Sequence, residues 1–271
     1  MNNLATRTLT GILFVAVIIG SVFGGLLLFI SLFGLVTLFT LVEFYQLVFG
    51  KGNYFRKFCG LLIGSLIFLV PSLFFYGAIS SLQPLAWLIP LVFLTFIAEL
   101  FLKSTQPFQN LGLLFTGCIY IAVPFALLVG TGFDKFGDYV PVVLVCVFSF
   151  IWINDTGAYI TGRSFGKHPL FARISPKKTI EGTLGGLLLV IIAAFIIARL
   201  QDVLSLEQCI ISGIILSIFS MLGDLVESML KRSLNVKDSG NLLPGHGGLL
   251  DRFDALLGAV PFVFFYLHYQ G

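Results

Sequence analysis

The sequence has 271 residues, of which 58% are hydrophobic and 11% charged, with a mean hydropathy of +1.03 and a formal net charge of +3. Soluble domains carry roughly 25% charged residues, so this composition excludes one and points to a polytopic membrane protein. The small net charge gives no footing for nucleic-acid binding, and Cys59, Cys118, Cys146 and Cys209, scattered through apolar runs without paired spacing, read as small apolar residues and not as a disulfide frame or zinc site.

At about 20 residues per membrane span, the chain reads as one all-α integral-membrane domain over 1–271. Residues 1–135 supply mainly apolar N-terminal spans, and 136–271 supply the C-terminal spans and the long polar loops, where chemistry is expected. The apolar runs predict nine spans, over 8–22, 25–48, 58–77, 84–102, 109–131, 139–159, 183–200, 208–230 and 255–269. Between Leu9 and Val48 only Gly20, Gly24 and Gly25 signal a turn. The first run is followed almost at once by the second, which reads as a first span and not as a cleaved signal. An N-terminus placed in the cytoplasm leaves the C-terminus outside. That alternation puts every Lys and Arg except Lys135 and Arg199 on the cytoplasmic side, as the positive-inside rule requires.

Polar residues gather in the second half. Asn154, Asp155 and Thr156 interrupt the sixth span near its cytoplasmic end, and Tyr159 shares the face of Asp155. An intramembrane carboxylate usually faces a water-filled cavity; residence at the headgroup level is the plainer alternative. Gly162–Lys167 has the look of a nucleotide-binding loop, but its glycine spacing is one short and His168 stands where a magnesium-touching Ser or Thr belongs. Ser175, Lys177, Lys178 and Thr179 precede the seventh span, where ammonium groups and unpaired helix N–H donors together suit a phosphate. A topogenic basic loop that meets anionic lipid explains the same residues.

Asp224, Glu227, Ser228 and Lys231 fall at i, i+3, i+4 and i+7 and line one stripe of the eighth span. Two acids on one stripe call for a cation, whether a divalent ion or the neighbouring Lys231 and Arg232. Beyond them come Lys237, Asp238 and a Gly- and Pro-rich turn to His246, Gly247 and Gly248. Asp251, Arg252 and Asp254 then open the last helix, where an acid at a helix start is also favoured by the dipole. Carboxylates in groups beside lysines, arginines and glycine-rich backbone suit Mg²⁺-dependent phosphoryl or nucleotidyl transfer, with one or two cations per site. No Ser-His-Asp or Cys-His arrangement favours a covalent enzyme. His168 and His268 lie outside the clusters.

The run Ser228–Asp254, read as S-x-L-K-R-x4-K-D-x-G-x2-L-P-G-H-G-G-x2-D-R-x-D, resembles the characteristic motif of the phosphatidate cytidylyltransferases, without departure. Asn154-Asp155-Thr156, the Gly162-Arg163 and Gly166-Lys167 pairs, Ser175–Thr179 with Glu181-Gly182, and Gly223-Asp224 are also similar to the family's polar positions. The first half offers only apolar architecture to compare. The resemblance implies an enzyme that joins CTP to phosphatidic acid, giving CDP-diacylglycerol and pyrophosphate; the compact apolar chain suits a bacterial inner membrane. It implies that Asp224 and Asp251 hold Mg²⁺ with help from Asp254 or Asp155. Lys231, Arg232, Lys237 and Arg252 would receive phosphates, and Lys177 and Lys178, with Thr179, the triphosphate or lipid headgroup. Ser228, Asp238, His246, Gly247 and Gly248 complete the expected site. A homodimer is compatible with the apolar surface, which also meets membrane lipid. A CTP-dependent lipid or polyprenol kinase is the nearest rival and would transfer the γ-phosphate. An ion-coupled transporter is a more distant rival, since the charges gather at one membrane face. The D-G-x2-A-R run of the CDP-alcohol phosphotransferases is absent.

Overall fold

In hydrocarbon every backbone polar group must be satisfied within the protein, so an apolar chain of this kind folds into helices. The computed structural model describes residues 3–134, 136–240 and 247–269, and these divide into two compact units. One comprises the chain up to Gly130 together with Asp238–Leu250; the other comprises Thr131–Lys237 and the chain from Asp251 onward. Of the described residues near the end of the chain, Asp238–Gly240 and 247–250 thus fall in the first unit.

The first unit contains α1 (Asn3–Phe23), α2 (Leu26–Phe49), α3 (Tyr54–Phe75), a 3-10 turn (Gln83–Trp87) leading into α4 (Leu88–Phe101), and α5 (Pro107–Gly117). One π-helical turn, Cys118–Ala122, joins α5 to α6 (Val123–Thr131). Beside that turn the buried Tyr45 hydroxyl donates to the Leu114 carbonyl at 2.7 Å. A side chain that takes a helix carbonyl is a usual companion of such a turn. Gly60 and Gly117 leave the space that Tyr45 fills. Arg56, which falls between the second and third expected spans, lies on α3 in a two-pronged buried pair with Glu99 of α4: Nε to Oε1 at 2.5 Å and Nη2 to Oε2 at 2.9 Å.

The second unit contains α7 (Pro141–Phe165), a hairpin of β1 (Pro169–Phe171) and β2 (Ser175–Thr179), α8 (Ile180–Leu200), α9 (Leu206–Ser233) and α10 (Leu250–Tyr269), of which Leu250 belongs to the first unit. The antiparallel hairpin pairs Pro169 with Thr179 and Phe171 with Ser175, a strand element the all-α expectation did not contain. Among the described residues the only other β pairing is an isolated antiparallel bridge between Phe133 and Tyr139, and the remaining regular elements are helices.

Among the described residues seven helices are long and apolar enough to cross a membrane: α2, α3, α4 with its leading turn, the α5–α6 rod, α7, α8 and α9. The protein is thus a polytopic integral-membrane protein. In α1 the apolar stretch counted is only Thr10–Phe23, and α10, which opens on Asp251, Arg252 and Asp254, is not among the seven.

Small residues set the packing of the second unit. A Cβ on Gly186 would lie 2.7 Å from the Asn154 carbonyl, and one on Gly182 would lie 2.8 Å from the Ala158 carbonyl, so α7 and α8 touch backbone to backbone. Gly223 and Gly258 do the same for α9 and α10, where a Cβ on Gly223 would lie 2.5 Å from the Asp254 carbonyl. These contacts bring the polar stretches of four helices within reach of one another.

Candidate active site

The site is built from the cytoplasm-predicted ends of the second unit's helices. Asn154 is buried, and it locks α7 to α9: Ser217 Oγ donates to its Oδ1 at 2.6 Å and its Nδ2 donates to Ser220 Oγ at 3.3 Å. The next residue, Asp155, opens into a cavity of about 430 Å³ lined also by Tyr159, Arg163, Lys177, Lys178, Thr179 and Asp224. The expectation that Asp155 and Tyr159 share a polar face agrees with this lining. Arg163 Nη1 donates to the Tyr159 hydroxyl at 3.1 Å, which carries a third cation to the cavity wall.

The hairpin presents the two lysines. Lys177 and Lys178 stand on β2, whose last residue, Thr179, caps α8 by accepting from Gly182 N at 3.1 Å. Ile180 N donates to the His168 carbonyl at 2.9 Å. The α8 start therefore does not offer those N–H groups to a phosphate, as the sequence suggested; its lysines are what it offers. Glu181 fastens the turn ahead of β1, accepting from Lys167 N and His168 N at 3.1 and 3.2 Å and pairing with His168 Nδ1 at 2.6 Å. His168, placed outside the clusters by sequence, so has a bracing contact.

Two linked charge clusters result. In the first, Lys178 Nζ lies 2.5 Å from Asp224 Oδ2, and Asp155 and Asp254 lie within electrostatic reach of both. Ser228 Oγ donates to Asp224 Oδ1 over 3.4 Å, a long contact. In the second, Lys231 Nζ bridges Asp251 Oδ1 at 2.6 Å and Glu227 Oε2 at 2.7 Å. Glu227 is fully buried, and its contact with the ammonium has the distance of an ion pair without the alignment of a hydrogen bond. The acids of the α9 stripe are thus answered by lysines, one of them from β2.

The sequence expectation joined Asp224 and Asp251 at one metal, and here each holds its own lysine. Among the described residues no three His, Cys, Asp or Glu side chains gather closely enough to ligate an ion. Lys231, expected to receive phosphate, is engaged by two carboxylates. Arg232 and Lys237 are exposed at and just beyond the end of α9, Asp238 is exposed after them, and Arg252 is exposed in the first turn of α10. His246 lies outside the described residues. Gly247, at φ +81, occupies the left-handed region that glycine tolerates, and Gly248 is buried in the first unit.

Sequence reasoning missed Glu43, the sole charged residue of α2, which is buried and holds the ends of the segment Ser239–Leu250. The signal was present: a lone carboxylate in an apolar run is costly and marks a functional position. Ser217 and Ser220, which brace Asn154, carried no comparable signal.

Lysines and an arginine face carboxylates in this cavity, a mixture of charges of the kind that nucleotidyl and phosphoryl transfer use. Comparison with known proteins narrows the class: the chain belongs to the cytidylyltransferase family, whose model matches residues 5–270. It is 36% identical to the phosphatidate cytidylyltransferase of Bacillus subtilis (strain 168), across 98% of both chains. It is 39% identical to the Staphylococcus haemolyticus protein of that name across 68% of each, and 48% identical to the Haemophilus influenzae one across 44% of this chain and 43% of the other.

Proposed function

We propose that the chain transfers the CMP unit of CTP to phosphatidic acid, giving CDP-diacylglycerol and pyrophosphate for phospholipid synthesis. The observation that carries this reading is the cavity in which Lys177, Lys178 and Arg163 face Asp155 and Asp224. The family match and the relatives' shared name support the choice of substrates. An oxygen of the lipid phosphate attacks the α-phosphorus of CTP. As that P–O bond forms, the bond from the α-phosphorus to the bridging oxygen breaks, and pyrophosphate leaves in line. Since a phosphate monoester is already largely ionised at neutral pH, with a second pKa of about 6, no strong base is required.

Lys177, Lys178 and Arg163 hold the triphosphate or the lipid headgroup, and their charge offsets what builds up on the leaving oxygens. The exposed Arg232, Lys237 and Arg252 receive the remaining phosphates. Magnesium commonly binds through one or two carboxylates and completes its shell with substrate phosphates. Asp224, with Asp155 and Asp254 near it, supplies hard oxygens of that kind, and the Lys178 ammonium now sits where positive charge is wanted. In this reading Asp224, with Asp155 or Asp254, would hold the ion while substrate phosphates complete its shell, Asp251 would be a further ligand, and one or two cations there would neutralise triphosphate charge. Lys231 holds Asp251 and Glu227 in place.

The segregation of Lys and Arg supports nine crossings, with the N-terminus and this site on the cytoplasmic side. The bacterial relatives support the inner membrane. In detergent, the purified chain is expected to release pyrophosphate only when CTP and phosphatidic acid are both present. A chelator stops the release and added Mg²⁺ restores it. Release that ignores the lipid would contradict the acceptor, and release that survives chelation would contradict the metal.

A further inference from the structure

Glu43 is 7% exposed on a helix whose other residues are uncharged. A carboxylate so placed needs donors, and among the described residues those it meets come from one segment. Its Oε1 accepts from the Ser239 hydroxyl and from Leu250 N at 3.2 Å, and its Oε2 accepts from Leu249 N at 2.8 Å. The Leu249 and Leu250 amides open α10, where N–H groups lack intrahelical partners and favour negative charge. Close approach is built in from both sides. A Cβ on Gly240 would lie 2.7 Å from the Glu43 carboxyl carbon, and one on Gly248 would overlap Oε1.

We propose that Glu43 is a positioning residue for nucleotidyl transfer: it clamps the two ends of the segment Ser239–Leu250 and so sets how the adjoining Lys237 and Asp251 meet substrate. This rests on the function proposed above. The Ser239 hydroxyl and the missing side chains of Gly240 and Gly248 then have one common cause, the bulk and charge of a carboxylate that arrives from the N-terminal half. A misplacement of about 1 Å at a reacting centre can cost about 100-fold in rate, so a clamp at this point has catalytic weight without touching substrate.

The test uses the full chain in detergent. Glu43→Gln keeps the side chain's size but turns one acceptor oxygen into an N–H donor that must face another donor. The expected result is a fall in kcat per folded molecule of about 30-fold or more, with KM for phosphatidic acid within about twofold of the original. Hydrogen exchange should quicken at 247–250 and remain unchanged in α3. Glu99→Gln, which breaks the Arg56 pair in the same unit, is the comparison: it should lower the melting temperature and leave kcat per folded molecule unchanged. Ser239→Ala alone should cost roughly threefold in kcat and nothing further in the Glu43→Gln background. Unchanged kcat in Glu43→Gln, or a loss matched by Glu99→Gln, would overturn the proposal. Should Glu43→Gln fail to fold, Ser239→Ala decides: a kcat loss at an unchanged melting temperature supports the clamp, and an unchanged kcat overturns it. If the unaltered chain makes no CDP-diacylglycerol, the functional reading fails, and exchange at 247–250 still reports whether Glu43 holds the segment.

Discussion

Asp224→Ala is expected to lower turnover by about 10³-fold or more, because it removes the acid on which the first charge cluster is centred. Asp224 lines the cavity, takes the Lys178 ammonium at 2.5 Å, and stands within electrostatic reach of Asp155 and Asp254. Without it Lys178 loses its fixed position, and the oxygen set that suits magnesium loses its central member. Its side chain is 39% exposed, so the loss should cost little stability. Circular dichroism and the melting temperature in detergent should therefore stay near those of the unaltered chain while CDP-diacylglycerol formation falls. An Asp224→Ala protein that keeps magnesium-dependent turnover within tenfold would remove Asp224 from the site.

The second large effect belongs to Lys231. Its ammonium is the shared counter-charge of Asp251 and Glu227, at 2.6 and 2.7 Å, and the Glu227 side chain has no exposure at all. Removing one partner of a buried ion pair leaves an uncompensated charge, at a cost of roughly 3–5 kcal/mol. For a protein of this size that corresponds to a fall of roughly 10 °C in melting temperature. Lys231→Met should therefore be both unstable and inactive. Adding Glu227→Gln, which removes the deepest of the stranded charges, should recover part of the stability but not the activity, since Asp251 is still unheld. Were Lys231 instead an open phosphate ligand, Lys231→Met would lose activity at an unchanged melting temperature.

The sequence made the helices legible because hydrocarbon leaves few choices. The second span was expected over 25–48 and α2 is Leu26–Phe49; the seventh was expected over 183–200 and α8 is Ile180–Leu200. The sixth was expected to end at residue 159, yet α7 runs on to Phe165. The polar residues from Asn154 onward looked like a helix end, but they face the Ser217–Ser220 pair and the cavity, so the helix continues through them. The hairpin was not legible, because Pro176 and two lysines in a five-residue strand give neither strand propensity nor alternation.

At the site, the stripe of Asp224, Glu227, Ser228 and Lys231 could be read from helical periodicity alone. What periodicity could not supply was the partner of each charge. Lys178 reaches Asp224 from a strand 46 positions earlier in the chain, and Lys231 turns to Asp251 and Glu227 instead of outward. Glu43 was overlooked for a related reason. Its partners lie about 200 residues away, and nothing local in an apolar helix indicates which loop a lone carboxylate will bind.

The central claim is tested most directly by giving the purified chain phosphatidic acid, Mg²⁺ and CTP labelled separately at the α- and γ-phosphates. The account predicts α-label in the lipid product and γ-label in pyrophosphate. Entry of γ-label into the lipid would contradict it and identify a kinase.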